Sequence, residues 1–248
     1  MIEVRDVFKS FGTQAVLKGT TLRIEDGEAI VIIGRSGGGK SILLKHLIGL
    51  LRPDQGSVLV DGQDLARMDE RSLLTVRRKF GMLFQMAALF DSFNVYENVS
   101  FMLRQERQHT EAEMRRLVAE ALDMVELQGI EAKMPAELSG GMRKRVGLAR
   151  AIIYRPRIVL YDEPTTGLDP VASSRIDRLI RRVWEQLGVT SIAVTHDMKS
   201  ARTISNRILM LHEGKIHADD TTDGIFQSTD PIIYNFVNGI ALPRAPIN

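Results

Sequence analysis

Eight consecutive residues, Gly34-Arg35-Ser36-Gly37-Gly38-Gly39-Lys40-Ser41, follow the spacing G-x-x-x-x-G-K-[ST]. The chemistry suited to that spacing is the holding of a string of phosphates. Phosphate oxygens need many donors in a small space. Glycines let the backbone curl so that several N–H groups point inward, and a helix starting at the loop adds a favourable dipole. Lys40 supplies a cation for the terminal phosphates, and the Ser41 hydroxyl is a hard oxygen ligand for Mg²⁺. The cradle is taken to run from Gly34 through Ile42. A glycine-rich turn with a chance Lys-Ser is the plain alternative. The strand-like run before the loop and the helical run after it argue against that alternative.

A second pair of chemical residues ends the apolar run Ile158–Tyr161. Asp162 and Glu163 would emerge at the C-terminal end of a buried strand, where open α/β sheets bind ligands. Asp162 is suited to hold Mg²⁺ through water. Glu163 is suited to orient a water molecule and take its proton. Two acids after a strand are common on surfaces. About 120 residues downstream of a phosphate loop, they gain weight.

The elements needed to position these groups are legible in outline. Thr21–Ile24 and Ala29–Ile33 read as strands around Asp26-Gly27, a hairpin signal. Leu43, Leu44, Leu47, Ile48 and Leu51 keep helical spacing, with Pro53 closing the helix. Asp61-Gly62 stops the strand in "GSVLVDG", and Glu213-Gly214 marks a last hairpin. Thr110 with Glu113 forms a capping-box signature. Met114, Leu117, Val118, Ala121, Leu122 and Val125 then share one helical face. A helix over "SGGMRKRVGLARAIIY", a helix over 170–187, the strand "SIAVTH", a short helix at 197–204 and the strand "RILML" continue the alternation. Strands alternating with helices predict an α/β domain with a mostly parallel sheet and an inserted helical portion. In the tail, Asp230-Pro231 reads as a helix start, Ile232, Ile233, Phe236, Val237 and Ile240 as an apolar stripe, and "ALPRAPIN" as extended chain.

Composition bounds the function. The 248 residues carry 33 Lys+Arg against 31 Asp+Glu, a net charge of +2, which gives no reason to expect nucleic acid or an anionic membrane as partner. The absence of Cys excludes disulfides and thiolate chemistry. No apolar run approaches a membrane span, and the N-terminus lacks the pattern of a signal peptide. A soluble, cytoplasmic chain without internal repeats is the expectation.

"LSGGM", Leu138–Met142, resembles the "LSGGQ" signature of ATP-binding-cassette (ABC) ATPases, and other family motifs occur in order over residues 2–225. The resemblance implies an α/β fold: a P-loop NTPase of the ABC nucleotide-binding type. It has a RecA-like core, an N-terminal antiparallel β subdomain and an inserted helical subdomain. It implies an ATPase domain over 1–228, with the helical subdomain at about 86–154 and a tail at 229–248 that carries a short helix. Phe11 would stack on the adenine of ATP. Gln85 would sense Mg²⁺ and the attacking water. Asp169, in "GLDP", would couple two subunits, and His196, in "VTHD", would contact the γ-phosphate. Ser139, Gly140 and Gly141 would bind the ATP held by a second chain. One phosphate loop and one signature per chain imply a homodimer or a homologous partner. Met142 departs from the family's Gln, and backbone groups of the preceding glycines are expected to make the contact instead.

"GMLFQMAALFDSFNVYENVSF", "YDEPTTGLDP" and "DPIIYNFVNG" look like the MlaF-like branch, the ATPases of MCE-type lipid transporters. That branch implies phospholipid transport between bacterial membranes. The partners would be a multi-span permease (MlaE-like), an MCE-domain protein (MlaD-like) and, in some systems, a small STAS-domain protein (MlaB-like). The chain would then sit peripherally on the cytoplasmic face of the inner membrane. Amino-acid importers and lipoprotein exporters share the catalytic motifs. A soluble ABC ATPase fits less well, since only 98 residues separate Lys40 from Ser139, too few for a repair-type coiled coil. A non-catalytic scaffold would have lost the base, the lysine or the histidine.

By the same resemblance, Met86–Arg104 would receive the permease. Met86, Leu89, Phe90 and Phe93 then form either a docking groove or packing for the helical portion. The tail stripe likewise either packs on the chain itself or touches the second ATPase chain, and the resemblance favours the second chain. His46, His109, His212 and His217 lack metal-ligand spacing and read as surface or packing residues. Arg143, Lys144 and Arg145 read as a solvated face, and Arg77, Arg78 and Lys79 lack the aromatic platform of a nucleic-acid site. Trp184 reads as core or half-buried.

Overall fold

The computed structural model describes residues 1–240. The chain opens with β1 (Ile2–Phe11), β2 (Gln14–Ile24), β3 (Ala29–Ile33) and α1 (Lys40–Leu47). It continues through β4 (Gln55–Val60), β5 (Gln63–Asp64), α2 (Glu70–Arg77) and β6 (Phe80–Leu83). Three helices follow, α3 (Val95–Glu106), α4 (Glu111–Met124) and α5 (Gly140–Ile152). Alternation resumes with β7 (Ile158–Asp162), α6 (Pro170–Leu187), β8 (Thr190–Val194), α7 (Met198–Ile204) and β9 (Arg207–His212). The last elements are β10 (Lys215–Thr221), α8 (Thr222–Phe226) and α9 (Pro231–Val237).

Two sheets organise the chain. One is antiparallel, in the order β2-β1-β4-β5, and the other runs β10-β9-β3-β8-β7-β6. In the second sheet β9, β3, β8, β7 and β6 are parallel, and β10 adds an antiparallel edge. All five residues of β3 are buried because this sheet is covered on both faces. Alternation along the strand divides them. Val31 and Ile33 join the core under α3–α6, while Ile30 and Ile32 join the core shared with α1 and the antiparallel sheet.

Several local expectations change. Asp26-Gly27 does not close a hairpin. β2 and β3 lie in different sheets, and the turn docks on the α6–β8 region, where Gly27 N–H donates to Thr190 Oγ1 at 2.9 Å. The Trp184 indole, half-buried, donates to Gly27 O at 2.8 Å. α1 stops at Leu47, before Leu51 and Pro53, because Gly49 turns left-handed at φ 66° and donates to His46 O. Both capping boxes of the helical portion are formed, Thr110 with Glu113 and Asn94 with Glu97. Asp230 caps α9 by accepting from Ile232 N–H and Ile233 N–H. Ile232, Ile233, Phe236 and Val237 pack on the chain's own core, the self-packing alternative for this stripe. Tyr234 and Ile240 remain exposed. The "ALPRAPIN" tail, residues 241–248, lies outside the described residues.

Candidate functional site

Four parallel strands deliver the chemical residues to one edge. β3 runs into the phosphate loop, β6 into Gln85, β7 ends on Asp162-Glu163, and β8 leads to His196. The register places Asp162 beside Val194, and Glu163 N–H donates to Val194 O at 3.0 Å, so the acids and the histidine emerge together. Ser36, Gly37, Gly39, Lys40, Ser41, Ile42, Gln85, Glu163 and His196 line one cavity of about 300 Å³. Gly34, Arg35 and Gly38 complete the loop behind it.

Sterics explain the glycines at two positions. A Cβ on Gly34, at φ 152°, would stand 2.3 Å from Leu211 O. One on Gly39, at φ 98°, would meet Val16 Cγ1 at 2.9 Å. Lys40 is buried, and its Nζ donates to Gly34 O at 2.8 Å and Arg35 O at 3.1 Å. It lies 3.8 Å from Glu163 Oε1. Burial pushes the Lys40 ammonium below its ordinary value, opposed by the charges of Glu163 and Asp162. Ser41 Oγ, on the cavity wall, donates at 2.7 Å to Oδ1 of Asp162, which is not itself a lining residue, so two hard oxygens meet next to the cavity. No group of three or more His, Cys, Asp or Glu forms a metal cluster among the described residues. A cation here would therefore share its coordination with water and phosphate, as Mg²⁺ does.

Glu163 is held from several sides. Its Oε2 lies 2.9 Å from His196 Nδ1 and accepts from Thr166 Oγ1 at 3.2 Å. Its backbone is left-handed, at φ 48°, a conformation that costs a non-glycine residue roughly 1–2 kcal/mol. Lys144 Nζ donates to Glu163 O at 3.2 Å. Lys144 is 5% exposed, so only Arg143 of the Arg143-Lys144-Arg145 run lies on a solvated face. Burial pushes the Lys144 ammonium down to about 8, against the pull of Asp162 and Glu163. Sequence reading missed this lysine because helical spacing alone does not say which flank of a helix meets another loop.

The remaining candidates lie elsewhere. Ser139, Gly140, Gly141 and Asp169 line a separate cavity of about 350 Å³ with Arg145, Arg175 and neighbouring loop residues. Ser139 caps α5, and Asp169 caps α6 by accepting from Val171 N–H and Ala172 N–H. Helix N-termini point unpaired N–H groups outward, an arrangement suited to anions. Met142 packs its side chain on the core instead of lining this cavity. Phe11 stands in neither cavity. It is 46% exposed at the end of β1, with Lys9 Nζ 5.7 Å from its ring centre.

An apolar groove of about 490 Å³ runs beside Gln85, lined by Leu50, Phe84, Phe90, Phe101, Met102 and Tyr154 among others. Phe90, Phe93 and Phe101 stack with centroids 4.8–6.2 Å apart. Leu89 packs inward, while Met86 is 85% exposed, so the segment divides between packing and surface.

A family described as "ABC transporter" matches residues 17–166. The Mycobacterium leprae protein named probable ribonucleotide transport ATP-binding protein mkl is 44% identical over 238 residues, 96% of this chain and 69% of that protein. The Haemophilus influenzae intermembrane phospholipid transport system ATP-binding protein MlaF is 39% identical over 239 residues, 96% of this chain and 90% of that one. A dimeric ATP-binding cassette in a post-hydrolysis state, bound to ADP and Pi, superposes with TM-score 0.82 at 33% identity. That match covers 90% of this chain and 99% of the cassette.

Proposed function

Because the chain belongs to the ABC transporter family of ATPases, we propose that it powers phospholipid transport between bacterial membranes as the ATP-hydrolysing subunit of an Mla/MCE-type system. The observation behind the chemistry is the convergence of Lys40, Ser41, Gln85, Glu163 and His196 on one cavity, with Asp162 joined to it through the hydrogen bond from Ser41. The lipid branch draws on the resemblance to MlaF over nearly the whole of both chains.

Lys40 and the loop N–H groups bind the phosphates of ATP, with Phe11 against the adenine. Ser41, Gln85 and Asp162 would hold Mg²⁺, which supplies positive charge to the phosphate oxygens. Glu163 orients a water molecule and accepts its proton as the water oxygen attacks the γ-phosphorus and the bond to ADP breaks. His196, beside Glu163, contacts the γ-phosphate. Ser139, Gly140, Gly141 and Asp169 of one chain close on the ATP of the other, so the active unit is a homodimer. The dimeric state of the related cassette supports this.

In this reading residues 1–228 are the ATPase domain, with the helical subdomain at about 86–154, and the tail begins at 229 with α9 as its short helix. No helix among the described residues is long and apolar enough to cross a membrane. In the lipid-transport reading the chain serves a multi-span permease, received at the apolar groove, and works on the cytoplasmic face of the inner membrane. An MCE-domain protein completes the assembly, with a STAS-domain protein in some systems.

Affinity purification from native membranes in mild detergent tests the branch. A permease, an MCE-domain protein and phospholipid should co-purify. A different permease would keep the ATPase and overturn the lipid cargo, and a nucleotide-transporting complex would favour the cargo named for the mycobacterial relative. For the chemistry, Glu163→Gln should bind ATP, accumulate as a closed dimer and lose roughly 10²–10⁴ in rate. Turnover at the wild-type rate would remove Glu163 from its role.

A further inference from the structure

Nine non-glycine residues among those described have positive φ, between 45° and 61°. Asp61 and Glu213 precede glycines in hairpin turns, where such backbone is ordinary. Four others share a different setting. The carbonyl oxygens of Ala87, Ala88, Glu126 and Glu163 each accept a hydrogen bond from a cation on a single helix, α5. Arg150 Nη2 and Nη1 donate to Ala87 O and Ala88 O, both at 2.7 Å. Arg145 Nη1 donates to Glu126 O at 2.9 Å, and Lys144 Nζ to Glu163 O at 3.2 Å.

None of these three cations has a carboxylate within 4.0 Å among the described residues, so their donors go to backbone oxygens. Alanine offers no side-chain hydrogen bond to support a left-handed turn, and two such alanines stand in succession directly after Met86. Backbone of this kind persists only where its surroundings over-determine it. A charged donor on the carbonyl is one means of doing so.

The positions along α5 give the arrangement its meaning. Its N-terminus, capped by Ser139, lines the second cavity. One turn on, Lys144 reaches the main chain of Glu163. Near its C-terminal end, Arg150 grips the turn that follows Gln85 and rests on the Phe90 ring at 5.8 Å.

We propose that Lys144 and Arg150 are positioning residues for hydrolysis: Lys144 fixes the Glu163 main chain, Arg150 fixes the Ala87–Ala88 turn after Gln85, and α5 thereby ties the second cavity to the geometry of the first within one chain. The inference rests on the assignment of Glu163 and Gln85 to the water-activating site. A shift of α5 when its N-terminus takes the partner's nucleotide moves both tethers together.

The test uses the full chain and measures kcat and KM for Mg-ATP separately, with a thermal midpoint for each variant. Lys144→Met keeps length and removes the donor, and Lys144→Gln restores a neutral donor. Arg150→Met removes both donors, and Arg150→Lys restores one. Glu163→Gln is run beside them. Lys144→Met and Arg150→Met should lose about tenfold to a hundredfold in kcat, the scale of a small misplacement at a reacting centre, with KM within about twofold. Lys144→Gln and Arg150→Lys should recover part of that loss. If Lys144→Met turns over like wild type while Glu163→Gln is inactive, the tether is overturned and the site stands. Equal losses in Lys144→Met and Lys144→Gln, with equally lowered midpoints, reduce Lys144 to a stability role and also overturn it. A fully active Glu163→Gln overturns the site assignment itself.

Discussion

Replacing Asp177 with asparagine should stabilise the fold more at pH 8 than at pH 5. Asp177 sits on the inner side of α6, 4% exposed. Its Oδ2 accepts from Ser200 Oγ at 3.0 Å, and Ser200 in turn meets Thr165 Oγ1 at 3.3 Å, while Oδ1 has no partner. Burial pushes the carboxyl from an ordinary 3.8 up to about 6, with Asp197 adding to the rise and Ser200 and Lys199 opposing it. Because the folded value lies above the unfolded one, the native state holds the proton more tightly. Stability from this group is greatest below the unfolded value and falls as pH rises from about 4 to 6. Above 6 the full cost persists, on the order of 3 kcal/mol. Linkage with these two values puts roughly half of that cost in place at pH 5. Asparagine does not titrate, and any cost of burying its amide is the same at each pH. The stability difference between variant and wild type should therefore grow by roughly 1–2 kcal/mol from pH 5 to pH 8. Urea unfolding of both proteins across that range, at constant ionic strength, measures it. A difference independent of pH would refute the argument.

Other expectations follow from packing and exposure. Met142→Gln should leave steady-state ATPase within about twofold, because the Met142 side chain packs on the core; a clear gain in rate would show that the amide belongs in the site. Phe90→Glu places a charge on the exposed groove wall, so the membrane partner should fail to co-purify while the thermal midpoint holds; an intact complex would move the docking surface elsewhere. Ile233→Ala should cost about 2–5 kcal/mol in urea unfolding, since Ile233 is buried on the chain's own core; a neutral result would detach α9 from that core.

The phosphate loop was readable because its donors, cation and hydroxyl are contiguous, and contiguous chemistry needs no knowledge of what packs nearby. The capping box at Thr110 and the long amphipathic α6 share that local character. The acid pair was readable as the end of an apolar strand, and Gln85, His196 and Asp169 only through the resemblance of their motifs. Other features depended on which surfaces meet. Asp26-Gly27 has hairpin chemistry, yet its flanking strands enter different sheets, so the turn docks on Trp184 and Thr190 instead. Lys144 and Arg150 carry the residue types of a solvated face, and only the loops folded around α5 turn them inward. Ala87, Ala88 and Glu163 bear no glycine to announce a left-handed backbone. Local sequence thus determined which groups could bind phosphate, cap a helix or take a proton. The tertiary structure alone decided the order of the strands, the division into two cavities and the partners of each buried charge, because a charge's surroundings are set by residues far from it along the chain.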